Sequence, residues 1–536
     1  MAGAISAAVC ETSSLMPTEQ GLKRSRSAGT FPNEQPSSLT TSVAQALDDL
    51  PIGRFHYVLV LATGLLRIAA SYCDQLAPFL FAGLRAEWDM SLEAQGHFTA
   101  CDPAGNIVGI GITLFLDSLG RKPGILLGSA ITAVASLLMF LSPSFSLLLL
   151  FRGMQTAGIA ISLNSNITWF NEQTPRTGRG LLYSLSLVGW PFGKQVLISV
   201  AALTPPGRWR GITLIGGLLN ALVVLAFAAL PESARYFAAV GNPEKAFRAL
   251  RLVHNLNRKK GTPPEQMLHA SANFEGVGPG GLYAGVLNAG SSGELYGGIH
   301  ANGVTDYTPP DPDKPLKTSV GDRLKQLAKP PHKGHLLYAI GLFVALSVTT
   351  LVLDTYGPQK FQQLLAPQSS ELPYGDLLWF NGGDLVGVLA SGLIVDRIGR
   401  RGCFALGFFG QAGFLALLIG WQHALLAAGV QPEAALAQAV LIPLGTAAAS
   451  LRVFHWDGAS LWTSEAFPTE LRATALATAN IAMRIVSMLV IALTGRAFGH
   501  AEATTFFSLL IGTLLISGVF ATTCLPIETA HKSLAS

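Results

Sequence analysis

The sequence predicts an all-α polytopic membrane protein with twelve transmembrane helices in two pseudo-symmetric six-helix bundles, and three observations lead there. Half of the 536 residues are hydrophobic and only 13% are charged, where soluble domains carry roughly 25%. Apolar stretches of spanning length fall into two series of six, separated by the polar segment 232–334. Two short motifs recur in the same order in both series, six spans apart, which points to a duplicated unit.

A helix needs about 20 mostly apolar residues to cross the hydrocarbon layer. Stretches that meet this run over 55–83, 96–116, 124–141, 147–170, 181–203 and 211–230, then over 336–353, 377–395, 403–421, 437–462, 473–493 and 506–524. They are numbered spans 1 to 12 in chain order. Residues 1–52 are rich in Ser, Thr, Pro and acids such as Glu11, Glu19 and Glu34, with no apolar signal core, and read as a disordered cytoplasmic tail. The bundles then occupy 53–231 and 335–525, joined by a cytoplasmic linker at 232–334 that begins amphipathic and turns rich in Gly, Pro and charge; 526–536 is a second tail. Basic residues at Arg121/Lys122, Arg176/Arg179, Arg235 to Lys260, Lys325 to Lys333 and Arg397/Arg400/Arg401 all fall on the side of the termini. The positive-inside rule makes that side cytoplasmic, with Arg208 and Arg210 as exceptions.

Composition also narrows the function classes. A net charge of +4 without a basic stripe does not suggest nucleic acid. Five cysteines without a CxxC pair suggest neither a metal site nor a disulfide framework. No nucleophile, base and oxyanion pattern points to an enzyme, and no cofactor is expected. The expected partners are the bilayer and a small solute, and the expected state is a monomer.

The repeated motifs come next. Asp117-Ser-Leu-Gly120-Arg121-Lys122 after span 2 is echoed by Asp396-Arg397-Ile-Gly399-Arg400-Arg401 after span 8. Glu172, Pro175 and Arg179 after span 4 are echoed by Glu465, Pro468 and Arg472 after span 10. A carboxylate one turn from an Arg at a short loop can pair with it and cap the next helix. These residues resemble the major facilitator superfamily, whose loop signature is GxxxDRxGRR. The copy at 392–401, opening at Gly392, is complete, whereas the first has Thr113 and Ser118 in place of the opening Gly and the first Arg. Residues 231–236, 241–246, 379–387 and 465–484 are similar to the synaptic-vesicle-protein-2-related and organic ion transporter group. The resemblance implies two halves that rock about a midplane site, a latch role for the motif clusters, and substrate contacts from spans 1, 4, 5, 7, 8, 10 and 11.

Ionisable groups inside spans are the site candidates, because each costs roughly 2.5 to 3.5 kcal/mol unless it meets a partner or a polar cavity. Arg67 lies roughly 18 Å into span 1, near the midplane. Asp74 is seven residues on, nearly on the same face. The related group usually carries an acidic pair in this span, where Ala70 and Cys73 stand here. Lys194 is midway along span 5, one turn after Trp190. Asp384 in span 8 follows Trp379 and matches the group's acidic position; it is a candidate proton carrier, with a structural pair to Arg484 of span 11 as the competing account. Asp102 on span 2, Asn164 on span 4, and Arg452 and His455 on span 10 add polarity. The loss of the acidic pair and the presence of Arg67 and Lys194 favour an organic anion or zwitterion over a cation, with protons as candidate coupling ion. The alternative is a membrane receptor or scaffold that keeps the fold without transport.

Overall fold

The computed structural model describes residues 43, 46–48, 50–116, 120–175, 179–240, 242–257, 320–365, 372–430, 435–500 and 502–529. Among the described residues there is no strand, and twelve helices are long and apolar enough to cross a bilayer. Spans 1 to 6 are Arg54–Trp88, Glu93–Leu116, Arg121–Phe140, Phe145–Gln173, Leu181–Leu203 and Trp209–Ala228. Spans 7 to 12 are His332–Leu365, Tyr374–Val395, Arg397–Ala427, Gln438–Ala466, Thr474–Ile491 and Ala503–Thr523. Span 7 runs well past 353, because an isolated Asp354 that finds partners does not end a helix.

Span 1 is two helices, Arg54–Asp74 and Ala77–Trp88. Pro78 stands in the first turn of the second helix. Having no N–H, it leaves the carbonyl of Asp74 without the bond a continuous helix would give it. Arg152 of span 4 fills that gap: its Nη1 donates to Cys73 O at 2.6 Å and its Nη2 to Asp74 O at 2.9 Å. Local chain chemistry thus fixes where a buried cation sits.

Within each half, close backbone approach relies on small residues, as membrane helices without a hydrophobic drive to associate require. Gly109 lies against Ala157 O of span 4, and Gly383 and Gly387 lie against Thr446 O and Ser450 O of span 10. Outward stripes stay apolar, as in Leu218, Leu222 and Leu225 on span 6. The halves meet along spans 2 and 11 and along spans 5 and 8.

On the side that carries the termini, Val43 and Ala46 to Asp48 are helical, and Val43, Ala46, Leu47 and Leu50 are buried against linker helices Ala234–Ala239 and Pro243–Leu256. Arg235 Nη2 meets Asp48 at 2.9 Å, and Asn257 Oδ1 accepts from Phe55 N at 3.0 Å. The described residues at the end of the stretch read as a disordered tail are therefore ordered, because they carry an apolar face that the linker helices cover. The rest of that tail, residues 258–319 of the linker and the end of the chain lie outside the described residues.

Candidate functional site

Four charged side chains from both halves meet in one network. Lys194 Nζ of span 5 donates to Asp354 Oδ1 of span 7 at 2.8 Å. The same oxygen accepts from Arg452 Nη1 of span 10 at 2.7 Å, and Arg452 Nη2 donates to Asp384 Oδ2 of span 8. All four are largely withdrawn from solvent. Two cations and two anions cancel, which is how lipid-embedded charge becomes tolerable. The network joins the halves only through Lys194 and Asp354; the other links lie within the C-terminal half. Asp384 keeps its second oxygen, Oδ1, buried and without a partner.

A second network sits in the N-terminal half. Arg152 Nε donates to Asp102 Oδ1 at 2.5 Å, and its Nη1 also donates to Gln155 Oε1 at 2.6 Å. Arg484 of span 11 lies near enough to Asp102 for their charges to interact. The side chain of Asp74 accepts from Gln75 Nε2 at 3.2 Å. Arg67 is only 6% exposed, and its guanidinium stacks over the Tyr183 ring at 5.2 Å.

Several expectations need correction. Arg452, not Arg484, is the partner of Asp384, because span 11 packs on span 2 and carries Arg484 toward Asp102. Trp379 does not line the pathway: it is 69% exposed, on one outward stripe with Val386 and Leu393. Five residues from Asp384, it points roughly 140° away. His455 faces span 9 instead of the seam, fully buried with its ring stacked on Phe408 at 4.5 Å. Asn164 donates to Ala160 O of its own helix at 2.8 Å. Trp190 is half-buried against the apolar core.

The loop motifs build two matching clusters on the terminal side. Arg121 Nε meets Glu172 Oε1 at 3.2 Å, while Arg400 Nη2 and Nε meet Glu465 at 2.5 and 3.0 Å. Lys122 Nζ donates to Leu230 O and Ala228 O, and its backbone N to Glu232 at 2.9 Å. The backbone N–H groups of Arg400 and Arg401 both donate to Glu528 at 3.0 Å. Gly120 and Gly399 have φ of 117° and 72°, a region only glycine enters freely, so each chain turns sharply into the next span. Glu232 and Glu528 thus cap spans 3 and 9 with negative charge. Trp169 Nε1 donates to Pro231 O at 3.2 Å and Trp462 Nε1 to Ile527 O at 2.9 Å, extending the match.

These described motif pairs lie inside one bundle each, whereas the resemblance implied a latch between bundles. Arg397 is exposed, and Arg472 Nη2 donates to Phe467 O at 3.5 Å. Asp117 and the side chains of Arg179 and Asp396 lie outside the described residues. Gly392 does touch the other half: a Cβ there would lie 3.4 Å from the Cβ of Ser184 on span 5.

Sequence reasoning missed Asp354, Arg152, Glu232 and Glu528 as functional positions. Asp354 stands one residue beyond the apolar stretch at 336–353, and Arg152 near the start of 147–170 reads as a flank.

Comparison with known proteins places the chain among transporters. The family profile described as sugar (and other) transporter matches residues 68–272 and 313–536. The synaptic vesicle 2-related protein of Bos taurus is 25% identical over 522 residues, covering 93% of this chain and 83% of its own. The organic cation/carnitine transporter 7 of Arabidopsis thaliana is 22% identical over 397 residues, covering 71% and 76%. In fold, the chain is similar to the xylose transporter XylE from E. coli in a partially occluded inward-open conformation, with a TM-score of 0.63, 15% identity, and coverage of 90% and 100%. A profile that spans both bundles, on a twelve-span fold with a duplicated loop motif, makes this chain a member of the sugar (and other) transporter family within the major facilitator superfamily.

Proposed function

We propose that this secondary transporter carries a small organic anion or zwitterion by alternating access, with protons as the coupling ion and Asp384 as their carrier. The observation that carries the reading is the Lys194–Asp354–Arg452–Asp384 network, in which one ion pair bridges two bundles that must part. A lone contact of this kind in a low-dielectric seam is strong while closed and costly once its partners separate, so parting needs a substitute charge. A proton on Asp384 weakens its hold on Arg452 and frees that guanidinium for an anionic group. The unpartnered Oδ1 of Asp384 is the atom on which that proton fits.

On the opposite side of the membrane from the termini, Gln195 Nε2 donates to Leu378 O at 2.9 Å across the same seam, and Phe79 stacks on Tyr374 with ring centroids 6.5 Å apart. Gly392 against Ser184 closes the terminal side. Contacts at both ends of one seam suit a protein that opens at either end in turn. Uptake of labelled carboxylates and amino acids into proteoliposomes, with and without an imposed pH gradient, tests the proposal. The gradient should drive accumulation in the native protein and have no effect on Asp384→Asn; uptake indifferent to the gradient in the native protein removes proton coupling.

A further inference from the structure

Among the described residues, two cations on the seam stand outside any ion pair: Arg484, whose charge lies near Asp102, and Arg67. Lys194 and Arg452 are committed to Asp354 and Asp384, and Arg152 to Asp102. Arg67, 94% withdrawn from solvent by the same 6% exposure, has neither Nε nor Nη2 hydrogen-bonded. Those two nitrogens form one edge of the guanidinium, the fork that matches both oxygens of a carboxylate. Tyr183 holds the plane from one side, which fixes the direction of the fork. A buried cation kept without an acceptor is expensive and calls for one from outside the chain.

Across the seam stands a half-buried anion that takes part in no ion pair among the described residues. Span 8 packs on span 10 with Gly383 at Thr446 and Gly387 at Ser450, so one turn on Ser391 comes beside residues 454 to 457. Asp457 lies there, next to Ser391 and close enough to feel the charge of Arg67. Tyr183 and Ser391 are neighbours of the touching pair Ser184 and Gly392, which brings Arg67 and Asp457 to the same level. Among the described residues neither Arg67 nor Asp457 takes part in an ion pair. Asn166 Oδ1 is a further buried acceptor without a donor, on the residue whose Nδ2 meets Thr63, one turn before Arg67.

We infer that Arg67 and Asp457 form the site for a small zwitterion, whose carboxylate goes to the Arg67 fork and whose ammonium group goes to Asp457. A plain anion would leave Asp457 facing like charge, and a plain cation would do the same to Arg67. A zwitterion satisfies both and ties one bundle to the other. This narrows the substrate class within the transporter reading and rests on it, but the deciding test reads binding, and flux serves only to separate the two.

Binding is measured on the purified full-length protein by thermal shift and calorimetric titration. The probes are glycine, β-alanine, 4-aminobutyrate and 6-aminohexanoate, each beside its deaminated acid and its decarboxylated amine. At least one zwitterion should bind about tenfold or more tightly than either relative. Asp457→Asn should bring its affinity down to that of the deaminated acid, and Arg67→Lys, which keeps the charge and loses the fork, should weaken both about tenfold. Should Arg67→Lys not fold, Asp457→Asn alone decides. Equal binding of the deaminated acid, unchanged zwitterion binding by Asp457→Asn, or no response to any zwitterion of the series overturns the inference. Zwitterion binding without counterflow in proteoliposomes would instead count against transport and leave this site standing.

Discussion

The two loop clusters and the membrane interior differ in how they treat the duplication. At the terminal face the halves agree nearly residue for residue: Arg121, Glu172, Glu232 and Trp169 in one, Arg400, Glu465, Glu528 and Trp462 in the other. Inside, the halves diverge. The C-terminal half supplies three of the four linked ions, Asp354, Arg452 and Asp384, whereas the N-terminal half pairs Arg152 with Asp102 beside a helix break and holds Arg67 outside any ion pair among the described residues. Symmetry survives where the same turn must be capped and braced twice. It is lost where a single solute of one shape must be met from two sides.

The largest effect that sharpens this contrast is expected at Arg452. Arg452→Ala strands Asp384 and leaves Asp354 with Lys194 alone, and removing one partner from a buried pair costs about 3 to 5 kcal/mol. Thermal unfolding in detergent should show a greater loss than for Asp384→Asn, which leaves Arg452 with Asp354; equal losses would mean that the network is not coupled. The matched loop clusters should respond in the same direction with smaller size. Arg400 is more deeply enclosed than Arg121, at 5% against 20% side-chain exposure, so Arg400→Ala should cost roughly 2 kcal/mol and Arg121→Ala roughly 1 kcal/mol. A reversed order would break the account of the two clusters as graded copies. At the small end, Trp379→Ala removes an outward ring and should change stability and binding by no more than about 0.5 kcal/mol. A large loss of binding there would return Trp379 to the pathway.

Much of the fold was legible because the hydrocarbon thickness forces long apolar runs, and because the loop motifs match letter for letter. The third shared feature was not, since Pro231-Glu232 and Pro526-Ile527-Glu528 differ by one inserted residue and only the geometry of the caps aligns them. Within the site, sequence identifies which side chains are costly to bury and leaves open how each helix is rotated. The position of Arg484 on a span that packs against span 2 decided its neighbour. Asp354 was hidden by its own charge, which cut the apolar run short, while the helix continues to Leu365 because Lys194 and Arg452 compensate it. The place of Trp379 was within reach of helical geometry alone, given that Asp384 faces inward.

The central claim, that solute crosses only if the halves part along this seam, is tested most directly by tying them together. A Cβ at 392 would stand 3.4 Å from that of residue 184, close to the separation a disulfide requires. In Ser184→Cys/Gly392→Cys, solute uptake should stop on oxidation, return on reduction, and leave the oxidised native protein unaffected. Full uptake by the cross-linked protein would contradict the account.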